Sequence, residues 1–188
     1  MIRPTSAAAL FAAAALPLGH MLATQAPPAS ADPNGSIASC SFSIPSNPQP
    51  NPQIADEVRD FAQSWLDGLS NRAPAAEMLS YLNLHSLVMS FPNPSSSEAE
   101  SVCDEASFRS WYDAVGARYT DQRLAILSFD VGGSDDQPIV HSSMAWSGKD
   151  AQTGQPFSYT ANQAWSLARG GPHGFVIEAY LVSGLAPA

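Results

Sequence analysis

The stretch Tyr159–Val182, YTANQAWSLARGGPHGFVIEAYLV, decides the fold. Apolar residues alternate on both sides of ARGGPHG, and its Gly and Pro residues suit a tight reversal. The spacing predicts a hairpin of two strands, Phe157–Leu167 and Phe175–Val182. Upstream, the same period of two predicts strands over Leu124–Val131 and Ile139–Ser147. The joints VGGSDDQP and SGKDAQTGQP carry the Gly and Pro of turns. Four strands in this order make an antiparallel meander.

Before Leu124 the period becomes helical. Ile54, Val58, Phe61, Trp65 and Leu69 share one face of an amphipathic helix. Pro74 suits the first turn of a second helix with Met78, Leu79 and Leu82 on its buried side. Leu87–Phe91 is expected to be a short strand stopped by Pro92, and NPSSSEAES after it a loop. Asp104 is an N-cap candidate for a third helix ending near Tyr119, with Phe108, Trp111, Tyr112, Val115 and Tyr119 as its core stripe. The class is α+β, with helices on one face of a sheet.

Residues 1–31 read as a cleavable signal peptide. Arg3 is the positive n-region, Ala7–Leu18 the apolar h-region, and Ala29-Ser30-Ala31 the cleavage site. The apolar run is too short to span a bilayer core of about 30 Å, which weighs against an uncleaved anchor. The expected location is therefore exported, either secreted or periplasmic, with no membrane span after cleavage. Residues 32–53, rich in Pro, Ser and Asn, form an N-terminal arm, and 54–188 a single domain. The net charge is −9, with 17 acidic residues against 8 basic ones, which excludes nucleic acid and anionic lipid as partners. In an exported chain, Cys40 and Cys103 are expected to pair, closing a long loop worth about 4 kcal/mol in the chain-entropy model.

The sequence contains no H-E-x-x-H, C-x-x-C, phosphate-binding Gly loop or G-x-S-x-G. His85, His141 and His173 lack ligand spacing, so neither a metal nor a cofactor is expected. His173 reads as a solvated turn residue and His141 as a sheet-face residue beside Ile139, Ser143 and Ala145. Asp130 is expected to share a face with Ile126 and Ser128, and His85 to sit at a cavity mouth.

WLDGLSNRA, EMLSYLNLHSLVMSFP and the closing hairpin follow one another in an order that resembles the nuclear transport factor 2-like superfamily. That superfamily includes SnoaL-like polyketide cyclases and ketosteroid isomerases. The resemblance covers about residues 54–183. It implies a cone, in which three helices cap a strongly bent antiparallel sheet around an apolar pocket. Laid over the isomerase pattern, the oxyanion tyrosine falls on Trp65, the general-base aspartate on Phe91 and the protonated aspartic acid on Gln163. Trp65 carries no hydroxyl and Phe91 takes no proton, so steroid isomerisation is not expected.

The overlay also implies a pocket wall of Val140, Ser142, Met144 and Trp146, with Tyr159, Ala161, Gln163 and Trp165. Ile177, Ala179 and Leu181 complete it. Ligand-binding candidates are Trp65, His85, Phe91, Ser142, Met144, Trp146, Tyr159, Gln163 and Trp165; no catalytic residue is assigned. The alternative is that Trp65, Phe91, Trp146 and Trp165 fill the cone as core. Glu178, Tyr180 and His141 are placed on the outer sheet face, through which such domains often pair, so a homodimer is expected.

Two functions stay open. One is an exported domain that binds a small apolar molecule or serves as an interaction module. The other is a cyclase, isomerase, dehydratase or hydrolase using His85, Ser142, Tyr159 and Gln163. Exported material is expected to begin at Asp32. N-terminal sequencing checks this, and a start at Met1 refutes it.

Overall fold

The computed structural model describes residue 40, residues 42–92 and residues 99–188. The expected signal segment 1–31, the start of the arm and residues 93–98 lie outside the described residues. In chain order the elements are α1 (Ala55–Ser70), α2 (Ala75–Leu79), β1 (Val88–Phe91), β2 (Glu100–Val102), α3 (Glu105–Arg118), β3 (Tyr119–Gly133), β4 (Pro138–Asp150), β5 (Pro156–Arg169) and β6 (Phe175–Pro187).

The three helices and four meander strands fall where periodicity places them. The expected loop after Pro92 is corrected in part, because its last residues enter β2. Three residues of Glu, Ser and Val carry no readable period, and their strand state comes from pairing with β1. β3 begins at Tyr119 and β6 runs to Pro187, both well beyond their apolar alternation.

The six strands form one sheet in the order β2-β1-β6-β5-β4-β3, antiparallel except for β1 beside β6. The sheet is open and not strongly curled, which corrects the strongly bent cone. Its irregularities are local, at register shifts in β3 and along the β5–β6 pairing, where an extra residue kinks one strand.

Two of those shifts reverse side-chain parity. Between Ile126 and Ser128 the shift leaves Leu127 unpaired and 59% exposed. Ile126 thus packs on the core while Ser128 and Asp130 are exposed, so Asp130 does not share a face with Ile126. In β6, Ser166 pairs with Ala179 but Leu167 with Ile177, leaving Glu178 as the extra residue. Ile177 faces inward, and beyond the bulge Tyr180 and Val182 pair across from inward-facing Trp165 and Gln163. The expected wall of Ala179 and Leu181, and the outward Tyr180, are corrected accordingly.

The core lies between α1, α3 and the inner sheet face. Val58, Phe61, Trp65 and Leu66 of α1 pack with Phe108, Trp165, Phe175 and Ile177. Asp104 caps α3 as expected. Its carboxylate accepts from Ser107 N at 2.7 Å, while Ser107 Oγ accepts from Asp104 N at 3.1 Å. The Ser107 hydrogen bonds hold the Asp104 carboxyl below its ordinary range.

The described part of the arm touches the sheet at widely separated points. Cys40 and Cys103 lie at disulfide distance beside β2, with Cα atoms 6.0 Å apart, inside the span a bridge requires. The Pro45 carbonyl accepts from His141 Nε2 at 2.9 Å, on the side of β4 opposite buried Val140. At the β3 end, Gln49 O accepts from Gly133 N at 2.9 Å and Asn51 N donates to Val131 O at 3.0 Å. A Cβ at Gly132 would come within 2.6 Å of Gln49 O, so glycine is required for this approach. The arm thus runs from one sheet edge to the other, crossing at β4 the face opposite the described helices.

Joint replacement Cys40→Ser and Cys103→Ser is expected to lower stability by about 4 kcal/mol. For a domain of this size that is roughly 10 °C in Tm. Calorimetry without reductant checks this, and an unchanged Tm refutes a bridged cysteine pair.

Candidate functional site

A cavity of about 180 Å³ lies between α3 and the inner face of the sheet. Helical spacing brings Trp111 and Val115 of α3 to one wall. Alternation along β4 brings Met144 and Trp146 to the opposite wall, with Ala161 from β5 and Tyr180 and Val182 from β6. Phe91 closes one side and stacks on Trp111, with ring centroids 4.2 Å apart and planes 12° from parallel.

The polar groups on this wall are largely engaged with one another. Trp146 Nε1 donates to Gln122 Oε1 at 3.2 Å. The Arg72 guanidinium lies 4.0 Å from the centroid of the Tyr112 ring and donates to Tyr112 O at 2.8 Å. It fills the space that a side chain at Gly116 would need, so it clamps α3 to the loop after α1. Tyr112 donates its hydroxyl to Ala73 O at 2.7 Å. Arg118 and Glu100 also line the cavity. Burial raises the Tyr112 and Tyr119 hydroxyls above the ordinary phenol range, so both stay neutral.

Behind Tyr180 sits a buried polar cluster centred on Gln163, which is 3% exposed. Gln163 Oε1 accepts from Ser142 Oγ at 3.0 Å and from Trp165 Nε1 at 3.2 Å. Gln163 Nε2 donates to the Tyr180 hydroxyl at 2.5 Å and also contacts Met144 Sδ. Burial pushes the Tyr180 hydroxyl far above the usual phenol range, against smaller opposing effects of Trp65 and Gln163. The Trp65 ring lies edge-on to Tyr180 with centroids 6.2 Å apart, and its buried Nε1 has no hydrogen-bond partner among the described residues.

Among the expected site residues, Phe91, Met144 and Trp146 meet in the cavity. Trp65, Ser142, Gln163 and Trp165 are inward but lie behind its wall, packed or bonded in the core. Tyr159 is half-buried against Trp146 and Phe157, away from the cavity wall. His85 is exposed and is not among the residues that line the cavity. Ser86 N donates to Asn83 O, and the resulting turn carries the imidazole out to solvent. His173 is exposed as expected, and its ring stacks on Tyr81 with centroids 3.8 Å apart.

Three contributors escape the period-based reading. Tyr180 is hidden by the Glu178 bulge, which has no sequence signal of its own. Trp111 and Val115 read as core, and only the packing shows that their part of the stripe borders a space. Among the described residues no cluster of His, Cys, Asp and Glu has metal-binding geometry, and no helix is long and apolar enough to cross a membrane.

No protein-family profile and no curated protein matches the chain. Solved structures do. A nuclear transport factor 2-like superfamily protein from Salmonella enterica serovar Typhimurium LT2 superposes with TM-score 0.59 at 12% identity, covering 72% of this chain and 93% of that one. A ketosteroid isomerase-like protein from Erwinia carotovora atroseptica gives TM-score 0.57 at 17% identity, covering 73% and 100%. A type 2 hexachlorocyclohexane dehydrochlorinase gives 0.59 at 10% identity, covering 71% and 87%. These identities speak to architecture alone. With three helices against a six-stranded, mostly antiparallel sheet, the chain has the nuclear transport factor 2-like fold.

Proposed function

We propose that this is an exported domain that captures a small apolar molecule, about the size of one or two fused rings, in the cavity beneath α3. The observation that carries this is the wall itself, where Phe91, Trp111, Met144, Trp146 and Val182 present apolar and aromatic surface. A space of about 180 Å³ is below the usual range for drug-sized ligands and near that of cavities that accept benzene. The flat Phe91–Trp111 stack favours a planar guest.

The similar structures include proteins named as an isomerase-like protein and a dehydrochlorinase. Proton transfer at carbon needs a base within hydrogen-bond reach of the substrate. Here the titratable wall groups are arginines, neutral tyrosines and Glu100, which is itself engaged. That set supports capture over catalysis. Disulfide-distance cysteines support an oxidising, extracytoplasmic location.

A ligand held at a hundred times its Kd is expected to stabilise the protein by about 2.7 kcal/mol. Thermal denaturation against small bicyclic aromatics checks this. Ala161→Phe, which fills the cavity from β5, should abolish the shift at an overpacking cost of about 1–3 kcal/mol. A shift that survives Ala161→Phe places the ligand elsewhere.

Gln163 acts in this reading as scaffold behind the wall. Gln163→Leu strips the partners of Trp165 Nε1 and Ser142 Oγ, at about 1–3 kcal/mol for each buried group left unpaired. Chemical denaturation is expected to show a loss of about 2–4 kcal/mol. Unchanged stability with weakened capture would instead make Gln163 a ligand contact.

A further inference from the structure

A second hollow opens beside Gln122, at the sheet edge where α1 ends. It is an open groove of about 600 Å³, within the range of ligand clefts. Gln122 lines both this groove and the cavity. Trp146 of the cavity wall also meets Phe157 of the groove wall edge-on, with ring centroids 4.8 Å apart. The groove itself is polar. A register shift between Thr120 and Arg123 leaves Gln122 buried and Asp121 in the left-handed region at φ 54°. The Asp121 carboxylate accepts from Lys149 Nζ at 2.7 Å, and that hydrogen bond holds its carboxyl below the ordinary range. Asn71, Arg123 and Ser147 share the groove with this pair. Their side chains make no hydrogen bond or ion pair among the described residues.

We infer that this groove is the outer half of the capture site and takes a neutral, hydroxyl-rich head, so that the full ligand is amphipathic, of the arylalkyl glycoside class. The charges select the head. A phosphate or carboxylate would meet the like charge of Asp121, and an ammonium that of Lys149 and Arg123. A hydroxyl both donates and accepts, so a polyol serves either sign and leaves the Asp121–Lys149 pair intact. Asn71 adds an amide donor and acceptor, and Ser147 a hydroxyl. Phe157 supplies the apolar surface that suits the C–H face of a sugar ring. Gln122 stands between the two spaces, so a short flexible linker must carry the ligand past it.

The role of the groove rests on the cavity being the capture site, and the test separates the two. Phenethyl alcohol and phenethyl β-glucoside share a ring and differ in the head. Titration calorimetry on the wild-type protein should show the glucoside binding about tenfold more tightly, the value of one net hydrogen bond. Joint replacement Asn71→Ala and Arg123→Ala should remove that preference. Both positions are exposed, so the fold is expected to survive the change. A preference that persists in this variant places the head elsewhere and overturns the inference. Phenethyl phosphate binding more tightly than the glucoside also overturns it, because the groove would then select an anion. Equal affinity of the wild type for alcohol and glucoside overturns it too, and leaves capture standing. If neither binds, the cavity reading fails and the role of the groove fails with it.

Discussion

One extra residue in β6 governs the interior of this domain. Without the bulge at Glu178, Ile177, Ala179 and Leu181 would share the inner face and Tyr180 would point outward. With it, the largest side chain of the strand enters the core, 2% exposed, edge-on to Trp165 at 4.6 Å and to Trp65 at 6.2 Å. Burying a phenol is costly unless its oxygen is met. The Gln163 amide meets it, and Gln163 is held in turn by Ser142 and Trp165. The bulge, the aromatic packing and the polar cluster therefore stand together, and a change in β6 register would break all of them at once.

The arm acts on the opposite face. It holds the sheet at the Cys40–Cys103 pair by β2, at His141 on β4 and at Gly133 on β3. Its composition explains why it stays extended, since prolines cannot join a ladder fully and prefer open backbone. The consequence reaches quaternary structure. Self-pairing through the sheet would need the face opposite the described helices, yet the arm crosses that face at His141, and Tyr180, expected there as a contact, faces inward. Two sheets approaching face to face pack about 10 Å apart, so the arm would have to be displaced or be shared between the partners. Its fixing at both ends weighs against displacement.

How much was legible in the sequence follows from what each element depends on. α1 and α3 were readable because Val58, Phe61 and Trp65, and Phe108 and Tyr112, repeat at helical spacing and are buried as that spacing requires. The capping box at Asp104 was equally local. Strands β3 to β6 were readable as alternation, and inward Met144, Trp146 and Gln163 followed from it. β2 was not, because three polar-leaning residues become a strand only through a partner. Parity beyond the bulges at Leu127 and Glu178 was not legible for the same reason. Periodicity fixes a face only while the ladder stays in register. The site divides likewise. Its sheet wall was visible in the pattern, whereas the open space between α3 and that wall is a property of volumes that no pattern reports.

The three positions on which the isomerase pattern falls show what this interior holds. Trp65 and Gln163 supply N–H groups there, and Phe91 supplies a ring. An indole and an amide do not titrate in the physiological range, and burial drives the Tyr180 phenol further from it. Carboxylates in these places would switch between donor and acceptor as pH changed. The Trp65 indole and the Gln163 amide keep their N–H groups unchanged across that range. What this interior keeps constant is its packing, with Trp65, Gln163 and Trp165 held in the core behind an apolar cavity.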